Sequence, residues 1–316
     1  MFWRPCRRII QHRDKHKPAL LLQATSMPID SATIKAVTAN LYERSLKKIP
    51  DDTRRVLATT GARETNPTAK RTITMMLESA DSAAGNGQLI CSDVGIPTYS
   101  IKVGTRVQFA GPVRQAITEG FAELAANMNP PILKMVTHPL THERSYAGKD
   151  IPIVSFDMVD DVDYMDIVCA PKAMGTGRWE AVEAFVYPTE EDVEKYVLDV
   201  VLRAGSQPCL PIVVGVGIGG TFDQATRLAK EAVLRPHGKA QSDPLLERME
   251  KRLLNAINEM GFGAMGTGGD TSAMAVNVDY SASHGFVPVA VCFNCWINRR
   301  TAARIHGDGR VEMLYE

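Results

Sequence analysis

Cysteine is scarce in this chain: six residues in 316, at positions 6, 91, 169, 209, 292 and 295, with no regular spacing. That excludes the dense disulfide framework of a small secreted domain. It favours a reducing, cytoplasmic setting, where a thiol is an inert core residue, a ligand or a nucleophile. Long apolar runs are missing too, since no stretch approaches the roughly 18–20 consecutive residues of a membrane-spanning helix. Nor is there an excess of charge of either sign. The 36 basic and 36 acidic residues cancel, which removes any global electrostatic case for nucleic acid or an anionic membrane as partner. No internal repeat or low-complexity linker interrupts the chain.

What is present is ordinary globular material, with 45% apolar and 23% charged residues, enough for a sizeable core in one large domain or two. Residues 1–26, "MFWRPCRRIIQHRDKHKPALLLQATS", stand apart: they are basic, with Asp14 the one acid. The apolar run at 19–22 is too short for a secretory signal. A transit peptide and an over-extended start before Met27 are both open. This stretch is expected to be a poorly ordered extension, leaving 27–316 as the folded domain.

Within that domain, apolar residues recur at helical spacing from Asp30 to Lys48 and from Arg71 to Ser82. "QLICSDVGIPTYSIKVG" predicts strand, turn, strand. Helices follow at Val113–Met128 and Glu190–Ala204, with buried strands expected in "IPIVSFDMV" and "MDIVCAP" between them. "PIVVGVGI" predicts another buried strand, followed by a helix with Thr221 and Gln224 as a capping box and Pro236 as its stop. Asp243 and Pro244 open the next helix and Gly261 ends it. "SAMAVNVDY" and "VPVAVCF" predict the last strands, and "NRRTAARI" a short helix. Strands alternating with helices indicate a mixed α/β (α+β) fold.

Gly215, Gly217 and Gly220 stand at GxGxxG spacing between a strand and a helix, the outline of a dinucleotide turn. The context fails, because a second helix follows where a strand ending in an acidic residue is required. Close strand–helix packing also needs glycine. Cys292-Phe-Asn-Cys295 is a CxxC pair, yet no second pair exists to complete a zinc site. From spacing alone, two inert buried thiols are the favoured reading.

Three segments in order, "ICSDVG" (90–95), "PCLPIVVGVGIGGTFDQATRLAKEAVLRP" (208–236) and "HGFVPVAVCFNCWINRR" (284–300), resemble the α-subunit of the class I fumarate hydratase and L-tartrate dehydratase family of iron–sulfur hydro-lyases. "Cys-Trp-x-x-Arg-Arg" leans towards the tartrate branch. The resemblance implies a pocket built around a 4Fe–4S cluster bound by Cys91, Cys209 and Cys295, leaving Cys292 without a counterpart. A fourth iron would then be free to act as a Lewis acid in eliminating water. It makes Asp93 and His284 the candidate proton-transfer residues, and Ser92, Lys134 and Gly175 the substrate contacts. The glycine corner is expected to let backbone approach the cluster pocket. A separate β-subunit is implied, in a heterotetramer of two α and two β chains, because nothing from Pro28 to His306 is left over to complete the pocket.

The departures from the family pattern concern substrate. Ser92 replaces a glutamine, Lys134 stands nearest to a carboxylate-binding arginine and loses its bidentate fork, and "KAMGTGRW" replaces a glycine-rich run. Arg178 in that run offers a cation for a different acid, or is a solvated surface residue. Alternatives to the hydro-lyase are a catalytically silent cluster-binding subunit and an NAD(P)-dependent oxidoreductase.

Overall fold

The computed structural model describes residues 28–315; the basic extension expected at 1–26 lies outside the described residues. The chain opens with β1 (Ile29–Asp30), α1 (Ser31–Lys47), α2 (Asp51–Arg63) and α3 (Pro67–Gly85). Then come β2 (Thr98–Gly104), β3 (Phe109–Ala110), α4 (Val113–Asn127), β4 (Val136–Thr137) and β5 (Arg144–Ser145). The middle holds β6 (Ile153–Val159), β7 (Tyr164–Cys169), α5 (Met174–Gly177), β8 (Ala181–Val186) and α6 (Glu190–Ala204). The last part runs β9 (Ile212–Gly219), α7 (Phe222–Ala232), α8 (Pro244–Glu259), β10 (Ala273–Ser281), β11 (Phe286–Asn294), β12 (Thr301–His306) and β13 (Val311–Tyr315). No helix among the described residues is long and apolar enough to cross a membrane.

Two larger sheets organise these elements. One has the order β13-β12-β7-β2-β6 and the other β10-β9-β11-β8. The first is covered by α1 and α4, whose apolar faces meet Tyr99, Ile101 and Ile167 in one buried cluster. Tyr42 of α1 and Phe121 of α4 meet there edge to face at 5.3 Å, the geometry the ring quadrupoles favour. In the second sheet β9 is covered on both faces, so it reads as an unbroken apolar run. Ile212, Val214 and Val216 pack against α6 and α8, while Val213 faces Ala225, Ala229 and Val233 of the α7 segment.

The alternate positions on the α7 side are the glycines. A Cβ at Gly215 would sit 2.2 Å from the Ala229 carbonyl oxygen, and one at Gly217 would sit 2.1 Å from that of Ala225. The helix backbone therefore lies where a side chain would be. The GxGxxG spacing is a close-packing device here, which is the simpler of the two readings the sequence allowed. Gly217→Ala is expected to destabilise the fold by about 3 kcal/mol, at the upper end for overpacking because backbone must move. A lowered denaturant midpoint with unchanged slope measures this, and a midpoint within error of the parent would contradict it.

Several expectations are corrected. Thr221 caps α7 by position but makes no side-chain cap bond; its hydroxyl donates to Asp223 instead, at 2.6 Å. A capping box does form at α6, between Thr189 and Asp192. "TAARI" is strand β12 and not helix, because it pairs with β7 and β13 on either side and tertiary pairing outweighs the helical preference of alanine. β6 is an edge strand with Phe156 and Met158 exposed, not a buried one. Residues 88–91 form loop instead of strand. α2 was missed because it buries only Thr53 and Leu57 and has no apolar stripe to read.

Candidate functional site

β9 and β11 are antiparallel neighbours with Val213 opposite Asn294. The start of one strand thus lies beside the end of the other. Cys209 precedes the first and Cys295 follows the second, so the pairing brings the two loops together. The Trp296 N–H donates to the Cys209 carbonyl at 3.2 Å and ties them. Cys91 arrives from the loop after α3, which is anchored where the Ile90 N–H donates to the Leu46 carbonyl at 3.1 Å. Cys91 and Cys295 pack on one apolar cluster with Ile90 and Trp296.

Although Cys209 as a whole is exposed, partial burial of its thiol pushes it above its ordinary range, and Cys295, Cys91 and the Asp93 carboxylate add to the effect. Cys209 therefore feels all three of these groups. Burial likewise raises the Cys295 thiol, opposed by the Arg299 guanidinium. Cys209 is exposed, and its φ of 56° lies in the left-handed region. A non-glycine residue held there costs about 1–3 kcal/mol, a strain that collects at functional positions. Among the described residues no three His, Cys, Asp or Glu side chains converge as ligands of a single metal ion. Thiolates bound to different irons of a cluster have no need to converge on one point.

Asp93 is fixed from two sides. Its Oδ1 accepts from the Gly95 N–H at 3.0 Å and its Oδ2 from the Gly175 N–H at 3.3 Å. Its carbonyl accepts from Arg299 Nη1 at 2.5 Å. Three residues before Gly175, the Lys172 backbone pairs with Ile96 in both directions at 2.8 Å. The Lys172 ammonium bonds Glu180 and the carbonyl of Phe293 in β11. One buried lysine thereby links the Asp93 loop, the Gly175 turn and the strand leading to Cys295.

With this geometry in place, comparison with known proteins is direct. The family profile described as fumarate hydratase (Fumerase) matches residues 35–304. The chain belongs to the fumarate hydratase (Fumerase) family. A Methanocaldococcus jannaschii protein provisionally named L(+)-tartrate dehydratase subunit alpha is 32% identical to it, over 88% of this chain and 99% of that protein. The L(+)-tartrate dehydratase subunit alpha of Escherichia coli K12 is 27% identical, over 88% of this chain and 92% of its own length. The chain is thus a hydro-lyase α-chain of the fumarate hydratase and tartrate dehydratase type.

Not every residue suggested by the resemblance lies beside the three thiols. Ser92 does, between Cys91 and Asp93, and it is exposed. Lys134 is exposed in the segment before β4, with its ammonium over the Tyr146 ring at 5.7 Å. His284 stacks on Phe286 at the start of β11. β11 has nine residues, so His284 and Cys295 are separated by a strand of about 30 Å. The corner at Gly219–Thr221 shares that far end, where a Cβ on Gly219 would meet the Ser281 carbonyl oxygen at 2.2 Å. It lies away from the cysteines, so the expected approach of that corner to the cluster pocket is corrected. Arg178 lies over the Trp179 ring at 4.9 Å.

Cys292 belongs to the same apolar cluster as Cys91 and Cys295, but its thiol has polar partners of its own. Its thiol donates to Glu180 at 2.8 Å and accepts from Lys172 at 3.5 Å, and burial pushes it up to about 12. It borders a cavity of about 520 Å³ shared with Lys172, Glu180 and Lys230. Arg299 was not singled out from the sequence. Its signal was the double arginine after Cys295, which alone gives no hint of burial.

Proposed function

We propose that this α-chain eliminates water from, or adds it to, a small hydroxy-di- or tricarboxylic acid of the tartrate and fumarate kind. Cys91, Cys209 and Cys295 would hold a 4Fe–4S cluster for the reaction. The observation that carries this reading is the meeting of three thiols from distant segments beside a carboxylate fixed by two backbone N–H groups. The donor set fits: three soft sulfur ligands, with five of five described cysteines unpaired, suit an iron–sulfur group. When bound, such a cluster supplies an iron without a protein ligand that polarises the departing hydroxyl.

The chain's own residues supply the rest. Asp93 Oδ2 is positioned to accept or return the proton that moves to or from substrate, since its carboxylate is oriented before substrate arrives. Ser92 offers a hydroxyl on the open side. Gly175 presents a backbone N–H, held on Asp93 in the free chain, that a substrate carboxylate can compete for. Cations for a dicarboxylate are the missing part. Lys134 and His284 lie elsewhere, which supports completion of the pocket by a β-subunit, in a two-α, two-β assembly in the cytoplasm. The hydro-lyase domain is taken as 27–316, with 1–26 as an appended basic segment.

The same placement favours one alternative, a cluster-binding subunit without turnover. An oxidoreductase loses its basis, because the glycine spacing is consumed by α7 packing. Anaerobic assay of hydroxy-diacid dehydration separates the two that remain. The chain alone is expected to show little turnover. Adding the β-chain should raise it about 100-fold or more, the scale set by assembling a correctly positioned site. Activity should decay in air and return with ferrous iron and a reductant. No turnover on any hydroxy-diacid with the β-chain present would leave the silent-subunit reading. Full activity from this chain alone would refute the split site.

A further inference from the structure

Arg299 is 5% exposed; like the buried Arg300 it leaves Nε without a hydrogen-bond partner, but it alone of the two leaves Nη2 unpartnered as well. Its Nη1 donates to the Asp93 carbonyl, but its Nε and Nη2 are buried without any hydrogen-bond partner. That edge of a guanidinium is the one suited to a two-point grip on an anion. Elsewhere in this chain it is used so: Arg54 holds Asp81 and Arg304 holds Asp166, each through Nε and Nη2. The neighbouring Arg300 is equally buried and has Asp52 as its carboxylate. Among the described residues Arg299 has no carboxylate ion partner.

A buried cation without a counter-ion is costly, so buried charges are paired. The groups around Arg299 narrow the source of its anion. Tyr42 lies on the core side, and burial drives its hydroxyl far above its ordinary range, so it supplies no negative charge. On the other side are Asp93, whose carbonyl it bonds, and Cys295, whose carbonyl accepts the Asn298 N–H at 2.9 Å in the turn that leads to Arg299. Asp93 offers Arg299 a carbonyl and spends its carboxylate on Gly95 and Gly175. What remains is the sulfur side of the site, and a metal-bound thiol carries its negative charge permanently.

We propose that Arg299 is the internal countercharge of the iron–sulfur group, a positioning residue whose unpartnered Nε–Nη2 edge serves the anion created when the three thiols are loaded. This rests on the cluster reading above. Net charge and hydrogen bonds to sulfur set the reduction potential of such a group, and partners behind a metal ligand commonly change its affinity by about 10–100-fold.

The test uses the full chain, reconstituted anaerobically with iron and sulfide, as wild type and as Arg299→Lys, Arg299→Gln and Arg299→Met. Two quantities are read: the rate of iron loss to a chelator, and the midpoint potential of the reducible centre followed by electron paramagnetic resonance. Arg299→Gln and Arg299→Met are expected to lose iron about tenfold faster and to have a more negative midpoint, since a nearby positive charge favours the reduced form. Arg299→Lys keeps the charge and should restore most of the potential. An unchanged midpoint in Arg299→Gln and Arg299→Met overturns the proposal, whether iron is kept or lost, because a purely structural role would leave the potential alone. A loaded wild type with unaffected variants defeats only this inference. A wild type that takes up no cluster defeats the site reading and this inference with it.

Discussion

Cys295→Ser is expected to lose nearly all bound iron, whereas Cys292→Ser keeps it. The two residues are three apart at the end of the same strand, so the comparison controls for local disturbance. Serine is close to cysteine in shape, but its hydroxyl is a hard and weakly acidic donor where iron–sulfur chemistry needs a thiolate. Cys295 shares its surroundings with Cys91, Cys209 and Asp93. Cys292 packs in the same apolar cluster, but its sulfur is engaged by Glu180 and Lys172. Replacing that thiol weakens two hydrogen bonds, to Glu180 and from Lys172, and leaves the three proposed ligand thiols in place. Iron and acid-labile sulfide per chain, measured anaerobically, give the answer directly. Equal iron in both variants would show that the ligand set is wrong.

Asp93→Asn should lower kcat by about 10²–10⁴-fold, the usual cost of losing a proton-transfer group, while iron content stays near the parent value. The amide is nearly isosteric, and its oxygen can still accept one of the two N–H groups, from Gly95 or Gly175, that orient the carboxylate. The loss therefore reports proton transfer more than folding. A turnover within a few-fold of the parent, with the β-chain present, would remove Asp93 from the chemistry.

The elements easiest to read in the sequence were those whose own residues decide them. β9 is an apolar run, α8 opens on Asp243 and Pro244, and both appear as expected. β12 could not be read, because alanines become strand only once β7 and β13 are there to pair with them. The glycines before α7 carried a true signal with two explanations, and only the position of Ala225 and Ala229 separates them. The candidate site was legible as three motifs but not as a place. Spacing gave no reason to join residues 91, 209 and 295, since their meeting depends on β11 lying beside β9. Arg299 was invisible for a related reason: burial and the absence of a partner are properties of the packed state.

The order β10-β9-β11-β8 has a consequence for biosynthesis. β11 is made last of these four strands, yet it is an interior strand that must slot between β9 and β8. Until it does, Cys91 and Cys209 have emerged from the ribosome with no third thiol and with the Trp296 clasp on Cys209 unmade. A nascent or truncated chain ending before β11 therefore lacks the three-thiol site altogether, and such long-range pairing is slow to form. On the proposed assignment, iron would be fixed by all three thiols only once β11 and Cys295 have been made, through the side where Cys209 stays open to solvent.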